Sequence, residues 1–121
     1  MLVSMLKSKL HCARVTDARL DYEGSLTIDR GLMDAVGILP YEKIMVANLE
    51  SGDRFETYAI PGASGSGTLC LNGATAHKGA VGDRVIVFAF CLIPAGDAAS
   101  HRPRIVRLDE HNRPEGGLRP V

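Results

Sequence analysis

The sequence predicts a mainly β protein that forms one small closed barrel with one or two short helices. Its 121 residues are 45% hydrophobic, which is enough for one core, while the chain is too short for two ordinary domains. Short apolar segments bounded by Gly, Asp, Asn or Pro follow one another, and only one segment has clear helical spacing. A series of short strands separated by turns is typical of small barrels.

The first part of the chain predicts two strands and a helix. Residues 1–16 alternate weakly and are expected to form a long N-terminal strand, and residues 25–30 are expected to form a second strand. Asp29 can cap the helix that follows, and Gly37 is expected to end it. The apolar stripe of this helix consists of Leu32, Met33 and Val36.

The remainder of the chain predicts a hairpin and further strands. Residues 42–49 and 54–60 flank the turn sequence "ESGD" and are expected to pair as a hairpin. Because proline cannot donate to a neighbouring strand, Pro103 places the last strand at a sheet edge. The Pro- and Gly-rich tail is expected to be flexible from about residue 110. The additional strands are expected at 67–73, 83–93 and 103–110.

Composition excludes several classes of protein. Lys plus Arg equal Asp plus Glu at 14 each, so no net charge favours nucleic acid or an acidic membrane. No apolar run has the length of a membrane span, and the N-terminus lacks the pattern of a signal peptide. We therefore expect a soluble cytoplasmic protein. The three cysteines and four histidines lack zinc-binding spacing, so no metal site is expected.

Two glycine-containing segments admit a structural or a functional interpretation. The Gly-rich segment 61–68 lacks the Gly-Lys-Ser/Thr ending of a phosphate loop, so a flexible surface loop is expected there. Gly24-Ser25 lies between two extended segments. Glycine in such a place marks a turn or bulge, or a site that requires unusual backbone geometry. The local pattern favours the turn, and the alternative is that the Gly24–Ser25 peptide bond itself reacts.

Six motifs, taken in order, resemble the pyruvoyl-dependent aspartate 1-decarboxylases. They cover roughly the first ninety residues, and the segment after Pro94 contains no matching motif. Any one of these short motifs alone would be weak evidence for a family, whereas the ordered set is specific. The motifs are "KLH" at 9–11, "YEGS" at 22–25, "TID" at 27–29, "GDRFETYAI" at 52–60, "NGA" at 72–74 and "VGD" at 81–83.

The resemblance implies a double-psi β-barrel that assembles as a homotetramer. It also implies that the single domain, residues 1–121, cleaves itself between Gly24 and Ser25 into pieces 1–24 and 25–121, either spontaneously or with a helper protein. Ser25 would become a covalent pyruvoyl group, whose electrophilic carbonyl serves as an electron sink. The implied reaction converts L-aspartate to β-alanine and carbon dioxide for pantothenate and coenzyme A biosynthesis.

The resemblance also assigns roles to individual residues. Thr57 would assist cleavage and contact substrate, and Tyr58 would be a general acid. Arg54 and Lys9 would bind the substrate carboxylates, although both could be solvated strand residues. Tyr58 could equally be a core aromatic. The substrate-holding turn would contain Asn72, Gly73, Ala74 and Thr75, which on local sequence is also an ordinary Asn-Gly hairpin turn.

Three further expectations complete the site. His11 and Tyr22 lie near the cleavage site by resemblance, and His11 could equally be a structural histidine. Thr57 and Tyr58 are neighbours on a predicted strand, so their side chains should point to opposite faces and serve different steps. Ser25 of one subunit is expected near Arg54 and Tyr58 of another.

The alternative function is a non-catalytic double-psi barrel for binding or assembly. Zero net charge with six aromatic residues disfavours a nucleic-acid-binding barrel.

Overall fold

The computed structural model describes residues 1–116, and within them the fold is mainly β, as the sequence predicts. None of the helices in this range is long and apolar enough to cross a membrane. The strands are β1 (Leu2–Arg14), β2 (Asp17–Arg19), β3 (Ser25–Asp29), β4 (Lys43–Asn48), β5 (Arg54–Gly62), β6 (Leu69–Asn72), β7 (Arg84–Pro94) and β8 (Arg104–Arg107). The helices are α1 (Arg30–Val36) and the 3-10 helices Gly73–Lys78 and Ala95–Ser100.

The strands form one mixed sheet in the order β2-β6-β3-β5-β4-β7-β1-β8. The pairs β1–β8, β2–β6 and β3–β5 are parallel, and the other neighbours are antiparallel. Within residues 1–116 the end strands β2 and β8 are not hydrogen-bonded to each other. This arrangement is consistent with a double-psi β-barrel. The predicted hairpin is confirmed as β4 and β5, and Pro103 precedes an edge strand as expected.

The core lies inside the curved sheet and beneath α1. Leu26 and Leu71 are register partners on β3 and β6, and both are completely buried. Burying one such side chain stabilises the fold by about 1.5–3 kcal/mol. Since alternate residues of a strand face opposite sides, the inward Leu26 leaves its neighbours Ser25 and Thr27 on the other face of β3.

Helix α1 begins and ends where the sequence predicts. The Asp29 carboxylate accepts a hydrogen bond from the Gly31 N–H at 2.8 Å, and Gly37 adopts a left-handed φ of 74°. The same carboxylate also accepts from the N–H groups of Gly65 at 3.0 Å and Gly67 at 2.8 Å. The loop that the sequence predicts as flexible is therefore tied to the start of α1 by Asp29.

The charge of Asp29 is stabilised despite its burial. Asp29 is only 2% exposed, and burial by itself raises a carboxyl pKa. The backbone N–H groups of Gly67, Gly65 and Gly31 outweigh this effect and hold the pKa of Asp29 below its ordinary value. Asp29 is therefore ionised at neutral pH, with its oxygens occupied by amide donors.

Strand β1 lies between β7, its antiparallel partner, and β8, its parallel partner. Its pairing with β7 shifts register between Leu6 and Ser8 and again between Leu10 and Ala13, where Cys12 has a φ of 62°. Such bulges bend a strand and let a sheet curve. The long N-terminal strand is thus confirmed as an inner strand of the sheet.

Asn112 connects the segment after β8 to the end of β1 and to the loop before β6. Asn112 is 1% exposed, and its side chain accepts from the Arg14 N–H at 2.7 Å. Its amide donates to the Arg14 and Gly67 carbonyls, both at 2.8 Å. The flexibility expected from about residue 110 stays a prediction, and within residues 110–116 the side chain of Asn112 is paired with backbone. The rest of the predicted tail, residues 117–121, lies outside the described residues.

Candidate active site

The Gly24–Ser25 bond lies at the start of β3, beside the first turn of a 3-10 helix. Ser25 is 1% exposed, whereas Gly24 is exposed and a Cβ there would meet nothing within 4 Å. Gly73 has a φ of 65°, and a Cβ on it would lie 2.7 Å from the Tyr22 carbonyl oxygen and 2.8 Å from the Gly24 nitrogen. Gly73 therefore permits a close backbone approach at this bond. It begins a 3-10 helix and not a hairpin turn.

Asn72 and Thr75 make hydrogen bonds directly to Ser25. The Asn72 amide donates to the Ser25 hydroxyl at 2.9 Å. The Thr75 hydroxyl lies 3.3 Å from the Ser25 carbonyl oxygen and 2.7 Å from the Asn72 carbonyl oxygen. All three residues are buried. The segment from Asn72 to Thr75, to which the resemblance assigns substrate binding, therefore contacts Ser25 itself.

Thr57 and Tyr58 lie on β5, which runs parallel to β3. Leu26 pairs in register with Ala59, and continuing this register backwards brings Tyr58 to the level of Ser25 and Thr57 to that of Gly24. Burial alternates along β5, with Thr57 half-buried and Tyr58 37% exposed. The two side chains therefore point to opposite faces, as expected. Tyr58 belongs to the strand beside Ser25 in the same chain, although the sequence places it in another subunit.

Lys9 and Arg54 converge on one aromatic ring. The Lys9 ammonium lies 5.7 Å from the Phe88 ring centroid, and the Arg54 guanidinium carbon lies 5.6 Å from it. Within residues 1–116 neither cation has a salt-bridge partner. Two unpaired cations held by a ring can bind carboxylates. Phe88 is not predicted as a site residue, because its contacts with Lys9 on β1 and Arg54 on β5 depend on the register of β1, β7, β4 and β5.

These cations and the serine form two separate groups. Within the described part of the chain, no hydrogen bond, ion pair or ring contact joins Lys9 or Arg54 to Ser25, Asn72 or Thr75. Phe90 stacks on Phe88 with ring centroids 6.3 Å apart and is 44% exposed. The cation group is therefore continuous with an exposed apolar surface.

His11 and Tyr22 lie at the margins of these groups. Burial lowers the pKa of His11, and the nearby cations Lys9 and Arg107 lower it further. Its ring is therefore neutral at pH 7, and its buried Nδ1 has no hydrogen-bond partner among residues 1–116. Tyr22 is 52% exposed. It borders a polar cavity of about 420 Å³ whose other lining residues are Thr16, Asp17, Arg19, Thr27, Thr68, Cys70 and Asn72.

The polar groups around Ser25 are amides and hydroxyls. The Asn72 amide and the Thr75 hydroxyl supply the hydrogen bonds to this residue. No cluster of three or more His, Cys, Asp or Glu side chains suited to a metal ion occurs within residues 1–116. A neutral donor to the Ser25 hydroxyl suits chemistry at that oxygen, because it can stabilise negative charge as it develops there.

Comparison with known proteins gives a consistent result. A family model described as aspartate decarboxylase matches residues 1–115. The aspartate 1-decarboxylase of Caldicellulosiruptor saccharolyticus is 53% identical over 113 residues, covering 93% of this chain and 88% of that protein. The enzyme of the same name from Syntrophobacter fumaroxidans is 56% identical over 110 residues, covering 91% and 89%. That of Salinibacter ruber is 54% identical over 112 residues, covering 93% and 77%.

The family match spans both groups of the candidate site, from Lys9 through Ser25, Arg54 and Tyr58 to Asn72. With the mainly β fold, these observations agree with the resemblance carried by the sequence motifs. The chain belongs to the aspartate decarboxylase family.

Proposed function

We propose that this protein cleaves itself between Gly24 and Ser25 and then converts L-aspartate to β-alanine and carbon dioxide. The observation that carries the proposal is the hydrogen bond from the Asn72 amide to the buried Ser25 hydroxyl, at 2.9 Å, in a member of this family. The proposed setting is cytoplasmic synthesis of the pantothenate precursor β-alanine. Because a helper protein for cleavage is compatible with this proposal, cleavage of the wild type is assayed both alone and with added cell extract.

Cleavage begins with attack of the Ser25 hydroxyl oxygen on the Gly24 carbonyl carbon. The Oγ–C bond forms, the peptide C–N bond breaks, and the hydroxyl proton passes to the Ser25 nitrogen. Thr57 is the proposed donor to the oxyanion, supported by its level beside Gly24 on the neighbouring strand. Gly24 provides backbone freedom, since nothing lies within 4 Å of where its Cβ would be.

The ester then eliminates. The Ser25 Cα proton goes to solvent and the Cβ–Oγ bond breaks, which releases residues 1–24 with a C-terminal carboxylate. Water then replaces the Ser25 nitrogen, which leaves as ammonia, and residue 25 becomes a pyruvoyl group. The residues present fit this conversion, because Ser25 is buried among amide and hydroxyl groups and has no competing charged partner in residues 1–116.

The pyruvoyl group supplies an electrophilic carbonyl that accepts the electrons released as carbon dioxide leaves. Arg54 offers a planar fork to a substrate carboxylate, and Lys9 adds a point charge. Phe88 holds both cations in place and shields them on one side. Tyr58 then donates a proton to the carbon that has lost its carboxylate.

The proposed active form is a homotetramer that completes its sites between subunits. Support comes from the separation of the Lys9–Arg54 group from Ser25 within one chain, and from an exposed apolar surface beside that group. Phe90 is 44% exposed and Leu92 is 67% exposed on β7, and Leu2 is 61% exposed on the adjoining β1. A neighbouring subunit can bury this surface and bring Arg54 to another Ser25.

Intact mass spectrometry tests the proposal. Purified wild-type protein should consist of pieces of 24 and 97 residues, the larger with a blocked N-terminus, and should release carbon dioxide from L-aspartate. Ser25→Ala should stay a single chain and be inactive, whereas Ser4→Ala serves as a matched serine control on β1. An active preparation that remains one uncut chain would contradict the mechanism. An uncut, inactive wild type would favour the binding or assembly module.

A further inference from the structure

We propose that Thr27 and Cys70 are positioning residues for self-cleavage, which together hold the Asn72 amide so that it donates to the Ser25 hydroxyl. We call this pair the Asn72 clamp. The inference rests on the proposed function, since it concerns the cleavage step at Gly24–Ser25. Neither residue is among those that the sequence motifs assign to the chemistry.

The clamp follows from the register of β3 and β6. In this antiparallel pair Ser25 lies opposite Asn72, and Thr27 lies opposite Cys70. Side chains two positions apart on a strand share a face, so all four project from the same side of the two strands. That side borders the polar cavity of about 420 Å³. The alternate residues Leu26 and Leu71 point into the core.

Every polar atom of the Asn72 side chain has a partner in this cluster. Its Nδ2 donates to the Ser25 Oγ at 2.9 Å and to the Thr27 Oγ1 at 2.8 Å. Its Oδ1 accepts from the Cys70 thiol at 3.2 Å between oxygen and sulfur. Asn72 is 2% exposed and Cys70 is 6% exposed, so solvent does not offer easy substitutes for these partners.

The number of partners fixes the orientation of the amide. An asparagine amide has two N–H donors and one carbonyl acceptor. In the observed orientation the two N–H groups donate to the hydroxyl oxygens of Ser25 and Thr27, and the carbonyl oxygen accepts from the Cys70 thiol. Rotating the amide by 180° would leave one N–H against sulfur, a weak acceptor, and the other without a partner. Burial and the nearby Asp17 carboxylate raise the pKa of Cys70, so its thiol keeps the proton that it donates.

Orientation matters because it decides what Asn72 does to Ser25. As an N–H donor, Asn72 stabilises negative charge on Oγ, and such a bond strengthens as charge develops on the acceptor. During elimination the same oxygen departs as part of the Gly24 carboxylate, so the donor also stabilises the leaving group. A reversed amide would present its own oxygen to Ser25 and provide neither effect.

The test follows the conversion of freshly translated chain into its 24- and 97-residue pieces by intact mass over time. Cys70→Ala removes the thiol donor, and Thr27→Val removes one acceptor while keeping the side-chain shape. Each should slow cleavage by about tenfold, the usual effect of leaving one buried hydrogen-bonding group unpaired. Cys70→Ser and Thr27→Ser keep the required donor or acceptor and should cleave within about threefold of the wild-type rate.

Matched controls separate the clamp from general packing. Cys91→Ala removes a thiol that lies 3.7 Å from the Met5 carbonyl oxygen, and should cleave at the wild-type rate. Thr68→Val alters another threonine of the same cavity, one whose hydroxyl bonds to Ser66 and not to Asn72, and should also leave cleavage unchanged. Thermal unfolding of each variant shows that the folded state is retained. If Thr27→Val does not fold, the Cys70 pair of variants decides the outcome.

The results distinguish the clamp from the cleavage that it serves. If the wild type matures but Cys70→Ala and Thr27→Val mature equally fast, the clamp is wrong and self-cleavage stands. Equal slowing by Cys70→Ser and Cys70→Ala would likewise overturn the clamp. Serine keeps a hydrogen-bond donor at this position and alanine does not, so equal slowing would mean that only the size and shape of Cys70 matter. A wild type that never cleaves would contradict the proposed function itself.

Discussion

Gly73 brings two backbone segments together beside the bond proposed to break. Its φ of 65° is readily adopted by glycine, and a Cβ would lie 2.7 Å from the Tyr22 carbonyl oxygen. Any side chain there would push the segment containing Gly24 away from Asn72 and Thr75. The close approach therefore aligns the hydrogen-bonding groups with Ser25, and it explains the need for glycine directly after Asn72.

Thr57 and Tyr58 are proposed to serve different steps, and this proposal can be tested by substituting each of them. Because their side chains point to opposite faces of β5, Thr57→Val should accumulate uncleaved chain, whereas Tyr58→Phe should cleave normally. Tyr58→Phe should then turn over about 10²–10⁴ times more slowly, the usual contribution of a positioned general acid. The measurement is intact mass of both variants, followed by carbon dioxide release per cleaved chain.

Tyr41 provides a matched control for Tyr58. Its ring lies 6.4 Å from that of Tyr58 and it is 77% exposed, so Tyr41→Phe should neither block cleavage nor slow turnover by more than about threefold, because the ring that contacts Tyr58 is kept. Normal turnover by cleaved Tyr58→Phe would remove Tyr58 as proton donor. Normal maturation of Thr57→Val would remove Thr57 from cleavage, while an uncut Tyr58→Phe would show that the two residues share one step.

At the scale of elements, Asp29 joins β3, the start of α1 and the loop at residues 63–67. Asp29→Asn should lower the free energy of unfolding at pH 7 by about 1–3 kcal/mol, because a charged acceptor of several amide bonds is lost. The folded pKa of Asp29 lies below its ordinary value of 3.8. Its contribution is thus fully present above the unfolded pKa and is lost as the pH falls through the folded pKa.

The measurement compares urea unfolding from pH 7 to pH 3 in a Ser25→Ala background, which keeps one chain. The difference in stability between this parent chain and its Asp29→Asn variant should narrow below about pH 4, since Asn does not titrate. Asp34→Asn is the control, because Asp34 lies on the same helix with its side chain 68% exposed, in an ion pair with Arg30. A difference that is constant over this pH range would show that the charge of Asp29 is not what ties the loop.

Local patterns predict the elements whose cause is local. The α1 helix follows from its Asp29 cap and Gly37, and the β4–β5 hairpin follows from alternation around one short turn. The three-residue strand β2 is not predicted, because its only described strand partner is β6, roughly fifty residues later in the chain. The parallel pairing of β3 with β5 likewise depends on crossing of the chain, which no local pattern encodes.

In the candidate site, too, the sequence predicts some features and not others. The motifs identify Ser25, Arg54, Tyr58 and Asn72 as site residues, but not which of them touch. The Asn72 contact with Ser25 requires the register of β3 with β6. The contacts of Phe88 with Lys9 and Arg54 require four strands in register, β1, β7, β4 and β5. The sequence therefore shows which residue types are available for the site, but not which of these side chains contact one another.

For the whole molecule, separation of the two groups predicts complementation between subunits. Ser25→Ala subunits retain Arg54, and Arg54→Ala subunits retain Ser25, so neither homotetramer should decarboxylate L-aspartate. Mixed tetramers should regain activity, because some sites then combine an intact Ser25 with an intact Arg54. The measurement is carbon dioxide release from mixed tetramers formed by co-expression of the two variants, with cleavage of the Arg54→Ala chains confirmed by mass.

Two controls make this result decisive. Each variant expressed alone should remain inactive. Co-expression of Arg30→Ala with Arg54→Ala should give no more activity than the Arg30→Ala chains give alone. A mixture no more active than its separate components would show that Ser25 and Arg54 of one chain serve the same site. Full activity in a monomer would lead to the same conclusion.

Strand β1 lies between β7 and β8, and this position bears on whether a cleaved subunit can unfold and refold reversibly. If the Gly24–Ser25 bond is cut as proposed, the 24-residue piece contains β1, an inner strand with hydrogen bonds on both sides, so the piece should stay in place without a covalent link. Each subunit folds as one chain before the cut, whereas two denatured pieces would have to meet by diffusion after it. Dilution would then oppose refolding of a cleaved subunit, while the fold of a single uncut chain does not depend on concentration. The proposed cut would therefore make each subunit hard to refold after denaturation.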